Sequence, residues 1–332
     1  MSELIETGTG EAAVGTVSAP ALNRFVPYVI WALLLTVPVW LQLFGGYTAL
    51  AGRVLVFALA AMSFNILLGF TGVMSFGHAA YFGLGAYGAG LCLKYVAGST
   101  PLAMLAGTLL GGVAGTLFGL LLVRRRGVYF AMVTIAFGQV CFYIAYKWDS
   151  FTGGYDGLRG FSRMPIDFGL FKLDITNNET IFYFFILFVF GVAAALQGFL
   201  LRSPFGRTLL AIRENERRAR FLGIPVERHI WLSFSISCFF TALAGSLYAL
   251  LNNFADPLGL NYIMSGNIVM ITVMGGMRVF WGPLVGAVLF VMLQDYVSSM
   301  TTNWMFFVGC AFVGVVLFFP RGLLGMLARR SG

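Results

Sequence analysis

Ser203-Pro204-Phe205-Gly206-Arg207-Thr208-Leu209-Leu210-Ala211-Ile212-Arg213-Glu214-Asn215-Glu216-Arg217-Arg218-Ala219-Arg220-Phe221-Leu222-Gly223-Ile224-Pro225 is a charged stretch between two long apolar segments. Ser203 is placed to cap a first turn, Pro204 suits the first helical position, and Gly223 followed by Pro225 predicts the stop. Phe205, Leu209, Ile212, Ala219 and Leu222 recur at helical spacing, with most arginines off that stripe. Glu214 with Arg218, and Glu216 with Arg220, stand at i,i+4. The spacing therefore predicts one short amphipathic helix. It either rests on lipid headgroups or docks a soluble cytoplasmic protein.

The chain around it has 332 residues, 59% hydrophobic and 10% charged, with 34 Phe. Its mean hydropathy is +0.87. That composition excludes a water-soluble domain and specifies an all-α polytopic membrane protein. Cys92, Cys141, Cys238 and Cys310 all lie in apolar segments without metal-ligand spacing, so they read as small buried hydrophobes and no metal site is expected. The net charge of +8 comes in short runs against the spans, as cytoplasmic flanks require, and not as a nucleic-acid surface.

Apolar segments run near 25–44, 53–70, 74–96, 102–123, 128–147, 179–201, 229–251 and 303–319. Residues 1–24, acidic and small, predict a disordered cytoplasmic tail and no signal peptide. Arg124-Arg125-Arg126, the seven arginines from Arg202 to Arg228, and Arg321, Arg329 and Arg330 mark cytoplasmic turns and a tail over 321–332. Loop 148–179 lacks that positive excess and should face outward. Parity then resolves the stretch 266–297, because a single crossing would leave the basic tail outside. Gly275-Gly276-Met277-Arg278-Val279-Phe280-Trp281-Gly282-Pro283 interrupts it, so two short helices flanking a break are predicted. The count reaches about ten helical segments within 25–320, with both termini inside.

A second interruption lies at Asn65-Ile66-Leu67-Leu68-Gly69-Phe70-Thr71-Gly72-Val73-Met74-Ser75-Phe76-Gly77-His78-Ala79-Ala80-Tyr81-Phe82-Gly83-Leu84-Gly85-Ala86-Tyr87. Irregular backbone at membrane depth is tolerated where protein or a water-filled cavity surrounds it, and transporters set such breaks beside the substrate route. Close helix packing also explains Gly83, Ala86 and Gly90. His78 reads either as a satisfied interior histidine or as a functional group. With two histidines, no phosphate loop ending in Gly-Lys-Ser or Gly-Lys-Thr and no carboxylate cluster, the chain offers no catalytic constellation and no ATP site of its own. Asp295, near a span's outer end, is the candidate membrane carboxylate.

These residues resemble the LivM-type permeases of branched-chain amino acid ABC importers over almost everything after residue 50. The likeness rests on Asn65 to Tyr87, Arg126-Gly127-Val128-Tyr129-Phe130-Ala131-Met132-Val133-Thr134-Ile135-Ala136-Phe137-Gly138, Thr152-Gly153-Gly154-Tyr155-Asp156-Gly157-Leu158, and Ser203 to Ile224. The resemblance implies a multi-pass protein of the bacterial inner membrane with the ABC importer permease fold. It implies pairing with a second, LivH-like permease, with two cytoplasmic ATPase subunits that hold ATP and magnesium, and with a periplasmic binding protein. Related members carry urea, amides or aromatic acids, and an ion-driven secondary carrier is the alternative from another class.

Three sites are expected. The substrate pathway takes Asn65, Thr71, Gly72, Ser75, Phe76, Gly77, His78, Tyr81, Phe82, Gly275 and Gly276, between the two breaks. The coupling helix over 204–223 takes Phe205, Gly206, Arg207, Ile212, Arg213, Glu214, Asn215, Arg217, Arg218 and Gly223 as ATPase contacts. Gly153, Gly154, Tyr155, Asp156 and Gly157 form the outward corner that meets the binding protein or closes the outer gate.

Overall fold

The computed structural model describes residues 26–43, 47–96, 99–167, 172–173, 176, 178–319 and 322–324. The expected tail 1–24 and most of 321–332 lie outside them. The helices are α1 (Val26–Leu43), α2 (Thr48–Asn65, continued as wider π turns over Ile66–Thr71), α3 (His78–Leu91, with a π extension Cys92–Val96), α4 (Thr100–Leu122) and α5 (Val128–Lys147). There follow the single turn α6 (Asp149–Thr152), α7 (Glu179–Arg202), α8 (Pro204–Glu214), α9 (Glu216–Phe221), α10 (Val226–Asn252), α11 (Tyr262–Gly275), α12 (Gly282–Met300) and α13 (Trp304–Phe318). The only ladder among the described residues is a two-residue antiparallel pair, β1 (Ile166–Asp167) with β2 (Lys172–Leu173).

Among the described residues six helices are long and apolar enough to cross a membrane. With α1, α3, α11 and α13 the described apolar segments number ten, as the hydropathy predicts. The expected span 74–96 begins later, at His78, because residues 72–77 are irregular. The predicted pair of helices around 275–283 is present as α11 and α12.

The core is laid down by α2, α3, α4 and α10. Small residues let their backbones meet: a Cβ on Gly245 would lie 1.8 Å from the Phe82 carbonyl, and one on Gly85 2.1 Å from that of Ala242. The hydrocarbon of a bilayer offers no hydrophobic drive for helix association, so close packing and interhelical hydrogen bonds must hold the bundle. Ser63 Oγ and Thr241 Oγ1 meet at 2.8 Å, and Thr272 Oγ1 donates to the Ala61 carbonyl at 3.2 Å. The outer surface of α4 and α5 stays apolar and exposed, as a lipid-facing or partner-facing surface must.

The arginine-rich segments collect at one end. Arg126, in the α4–α5 turn, reaches Glu216 of α9 at 3.1 Å, Arg213 of α8 packs on Gly72 after α2, and Gly322 packs on Gly276. At the opposite end Leu158 pairs with Ala255, Thr100 with Met164, and Tyr47 with Asp295.

Candidate functional site

The first break begins where α2 loosens. The π turns end as Val73 N–H bonds the Leu67 carbonyl at 3.3 Å and Gly72 takes φ +78°, a left-handed conformation that a side chain resists. After Gly77 the chain re-enters the bundle as α3, whose first N–H groups lie within the protein and need partners. Other helices supply them: Thr134 Oγ1 accepts from Phe76 N at 3.1 Å and Ser265 Oγ accepts from Ala79 N at 2.8 Å, while Ser75 Oγ accepts from Gly77 N at 3.3 Å.

His78 closes the network. Its Nε2 lies 2.9 Å from Ser237 Oγ and its Nδ1 3.1 Å from Ser75 Oγ, with Phe64, Tyr81 and Phe234 edge-on around the ring. Ser237 spends its proton on the Ser63 carbonyl at 2.7 Å, so it accepts from Nε2–H and Ser75 donates to Nδ1. The ring is thus satisfied as the neutral Nε2–H tautomer. Ser75, His78, Tyr81 and Phe82 are fully buried.

The second break, Gly276 to Trp281, closes on backbone contact. A Cβ on Gly275 would lie 2.0 Å from the Gly282 carbonyl, and one on Gly286 2.0 Å from that of Ile271. The two breaks touch: Asn65 Nδ2 donates to the Val279 carbonyl at 3.2 Å, and a Cβ on Gly69 would meet Asn65 Oδ1 and the Arg278 amide. The two breaks expected to flank the route are thus in contact with each other. The open space lies beside the first break: a cavity of about 570 Å³ lined by Thr71, Gly72 and Phe76, by Arg126, Gly127 and Val128, and by Ile212 to Glu216. Thr71, Gly72 and Phe76 are the expected pathway residues that border it.

The charged stretch borders this cavity, and its structure corrects several expectations. It is two helices, because Asn215 is extended (φ −157°, ψ 100°) and turns its Oδ1 to accept from Arg218 N at 2.9 Å, capping α9. That break separates Glu214 from Arg218, which form no ion pair among the described residues, whereas Glu216 and Arg220 pair at 2.8 Å. Ser203 does not cap α8 through its side chain, which donates back to the Leu200 carbonyl at 2.6 Å. Gly223 ends α9 as expected, at φ +79° with Ile224 N–H on the Ala219 carbonyl.

Two small apolar clusters seat these helices. Leu209 packs with Ile66 and Phe70 of the π turns, and Ile212 and Ala219 pack with Val226 and Ile230, with Val73 against them. Burying Leu209 and Ile212 contributes about 1.5–3 kcal/mol each. Leu222, expected on the buried stripe, is instead 73% exposed beside Phe221 at 90%. Glu216 ties Arg126 and Arg220, and Arg220 also reaches Glu227 at 2.6 Å. Partial burial alone would raise the Glu216 carboxyl, but hydrogen bonds from Arg220 and Arg126 and their charges hold it below its ordinary value. Arg207, Glu214, Asn215, Arg217 and Arg218 face outward. Arg213 is half-buried, and a Cβ on Gly72 would meet its Cγ at 3.0 Å.

The opposite corner is rigidly built. Thr152 Oγ1 donates to the Ala145 and Trp148 carbonyls, Gly153, Gly154 and Gly157 have φ +80°, +56° and +70°, and Leu158 pairs with Ala255. Tyr155 and Asp156 project from it, exposed.

Pattern reading missed Thr134, Ser237 and Ser265, the hydroxyls that hold α3. Their only signal is a hydroxyl in an apolar helix, shared by residues that merely bond their own turn. It also missed Arg126 and Glu216 as a clamp.

A family model described as branched-chain amino acid transport system / permease component matches residues 46–317. The permease protein LivM of the high-affinity branched-chain amino acid transport system of Salmonella typhimurium is 27% identical over 318 residues, 90% of this chain and 74% of the relative. The Escherichia coli protein of the same name is 27% identical over 301 residues, 85% of this chain and 70% of the relative. BraD of Pseudomonas aeruginosa, from a system of the same description, is 26% identical over 288 residues, 81% and 91%. No solved structure matches. With ten apolar segments, two touching breaks and a paired charged helix at the basic end, this chain belongs to the family of branched-chain amino acid transport permeases.

Proposed function

We propose that this chain is one half of the membrane pathway of an ATP-driven importer in the bacterial inner membrane, carrying branched-chain or chemically related amino acids delivered by a periplasmic binding protein. The observation that carries the reading is the seating of α8 and α9 on the first break. A movement imposed on these helices from the cytoplasm would reach Ile66, Phe70, Gly72 and Val73 directly. The outward-facing Arg207, Glu214, Asn215, Arg217 and Arg218 offer a polar surface to a cytoplasmic ATPase subunit, while Phe205 stacks on His229 behind them at 5.8 Å. Two such subunits would bind the ATP and magnesium, this chain having no ATP site; a second, LivH-like permease would supply the other wall. The rigid Gly153–Gly157 corner, with Tyr155 outermost, is where the binding protein would meet the chain.

Amino acids are zwitterions, and neither charge can meet hydrocarbon without dipoles or counter-charges in the path. The cavity at the first break, mostly apolar but bordered by Arg126, Arg213, Glu214 and Glu216, supports such a path. The test is uptake of labelled leucine into proteoliposomes holding both permeases and the ATPases, with binding protein outside and ATP inside. Uptake that needs both ATP and the binding protein supports the reading. Uptake driven by an ion gradient without ATP overturns it in favour of a secondary carrier, and uptake of urea, amides or aromatic acids alone moves the substrate assignment. Glu214→Arg with Arg217→Glu is expected to abolish ATPase co-purification; if it leaves co-purification and uptake unchanged, the docking surface is elsewhere.

A further inference from the structure

Two pins hold helix α1 to the bundle, and a groove stays open beside them. At the arginine-rich end Trp31 packs on Phe190 of α7 and on Trp281 of the second break, at ring separations of 6.3 and 6.2 Å. Further along, Pro38 has no N–H to give the Leu34 carbonyl, and Tyr183 of α7 donates its hydroxyl to that carbonyl at 2.7 Å instead. The groove, about 250 Å³, has walls from four helices, among them Leu33 and Val37 of α1, Val54 of α2, Tyr183 of α7, and Leu284 and Val288 of α12. Its lining side chains are apolar except Tyr183, whose hydroxyl proton is already committed to Leu34, which leaves water little to bond to. Three of the four helices, α2, α7 and α12, are long enough to cross a membrane. The groove follows α12 from Leu284 to Met292, about 12 Å at the helical rise per residue. It ends one turn short of the Tyr47–Asp295 hydrogen bond, since Met292 lies three residues before Asp295 and Leu50 three after Tyr47. Leu33, Val288 and Met292, which border it, are 52%, 37% and 41% exposed, so it opens sideways at membrane depth.

The geometry points to this groove as a retained site for one acyl chain of a phospholipid in the leaflet opposite the arginine-rich end, its head group level with Tyr47 and Asp295. Lipid tails fill any concave apolar surface in a bilayer. This one differs from the exposed outer faces of α4 and α5 in that four helices enclose the chain, which meets protein on several sides and gains dispersion contacts from each. The occupant also serves the fold, because it fills a space that the two pins leave between α1 and α12 and that would be costly to leave empty. The inference goes beyond the importer reading and stands without it, since it needs only that the chain spans a membrane.

The test loads membranes holding the full-length chain with phosphatidylethanolamine that carries a diazirine midway along one acyl chain. Extraction into mild detergent removes loosely held lipid, irradiation follows, and mass spectrometry maps the adducts. They are expected to concentrate on residues 30–37 and 284–292, at least threefold above the exposed faces of α4 and α5. Val288→Phe fills the groove from its mouth and Val54→Phe from α2, and each should lower the groove adducts at least threefold while the protein stays monodisperse. Should Val54→Phe fail to fold, Val288→Phe, at a part-exposed position, decides alone. No retained adducts, an even spread over all the apolar helices, or adducts unchanged in Val288→Phe overturns the site. So does thiol-directed crosslinking of Val288→Cys to a co-purifying membrane protein, which would give the groove a protein occupant.

Discussion

The two breaks solve one problem in opposite ways. At Gly72–Gly77 the helix ends are satisfied by hydroxyls of Ser75, Thr134 and Ser265, and a cavity of about 570 Å³ lies alongside. At Gly276–Trp281 the flanking helices cross with glycine against carbonyl, at distances that admit no side chain. A hydroxyl can exchange a backbone amide for water at little net cost. A crossing packed backbone to backbone has no such alternative, because close-packed interiors shift between discrete arrangements rather than deform. The first break is therefore expected to rearrange more readily than the second, even though Gly77 within it also packs on the Thr134 carbonyl.

The largest expected effect comes from disrupting the second break. Gly286→Leu would drive a side chain into the Ile271 carbonyl, and overpacking of this kind costs about 1–3 kcal/mol or more. Little monodisperse protein should be recovered after detergent extraction; normal recovery would show that the α11–α12 crossing tolerates movement and erase the contrast.

His78→Ala tests the first break next. It empties a buried ring site and leaves Ser75 and Ser237 short of a partner, a loss of about 3 kcal/mol on the scale of buried polar deletions and cavities. The thermal midpoint of the purified complex should fall, with the chain still inserted. An unchanged midpoint would mean that α3 does not depend on this network.

Asn65→Ala removes the bridge between the breaks and leaves the Val279 carbonyl unpaired, at about 1–2 kcal/mol. Faster hydrogen exchange is expected around 276–281; exchange confined to 72–77 would show that the second break does not need the first.

The smallest effect belongs to Glu216→Gln. Its ion pairs with Arg126 and Arg220 are part-exposed and screened by solvent, so their contribution is small. Because the folded carboxyl lies below its ordinary 4.5, the stabilisation is present above that value and fades as pH falls through the lowered one. Exchange over 216–224 should rise in acid in the native chain and already be high at pH 7 in the variant. An acid rise of the same size in the variant would assign the effect to another group.

Much of this was open to reading along the chain. Apolar length, arginine placement and parity yielded ten segments, their boundaries to within a few residues, and the pair of helices at 262–300. Gly223 and Pro204 punctuated the charged stretch as local rules require. The misreading at Asn215 is instructive: the apolar spacing continued across it, and the competing signal was a residue that caps a new helix as readily as it interrupts an old one. His78 was legible as an unusual residue but not as to role, and Arg213 only as one of the charged contacts of the coupling helix.

Hydropathy period, caps and charge bias act over one or two helical turns, so residue order was enough to establish a membrane bundle with two interruptions and a charged projection at its basic end. Which residues meet depended on packing between segments some 140 to 210 positions apart, as with Asn65 and Val279, Gly72 and Arg213, or His78 and Ser237. Those contacts are absent from any local pattern because a hydroxyl, a glycine or an arginine has the same local propensity whichever helix it faces. Only the packed bundle made the first break a cavity wall and turned Arg213 inward to line it.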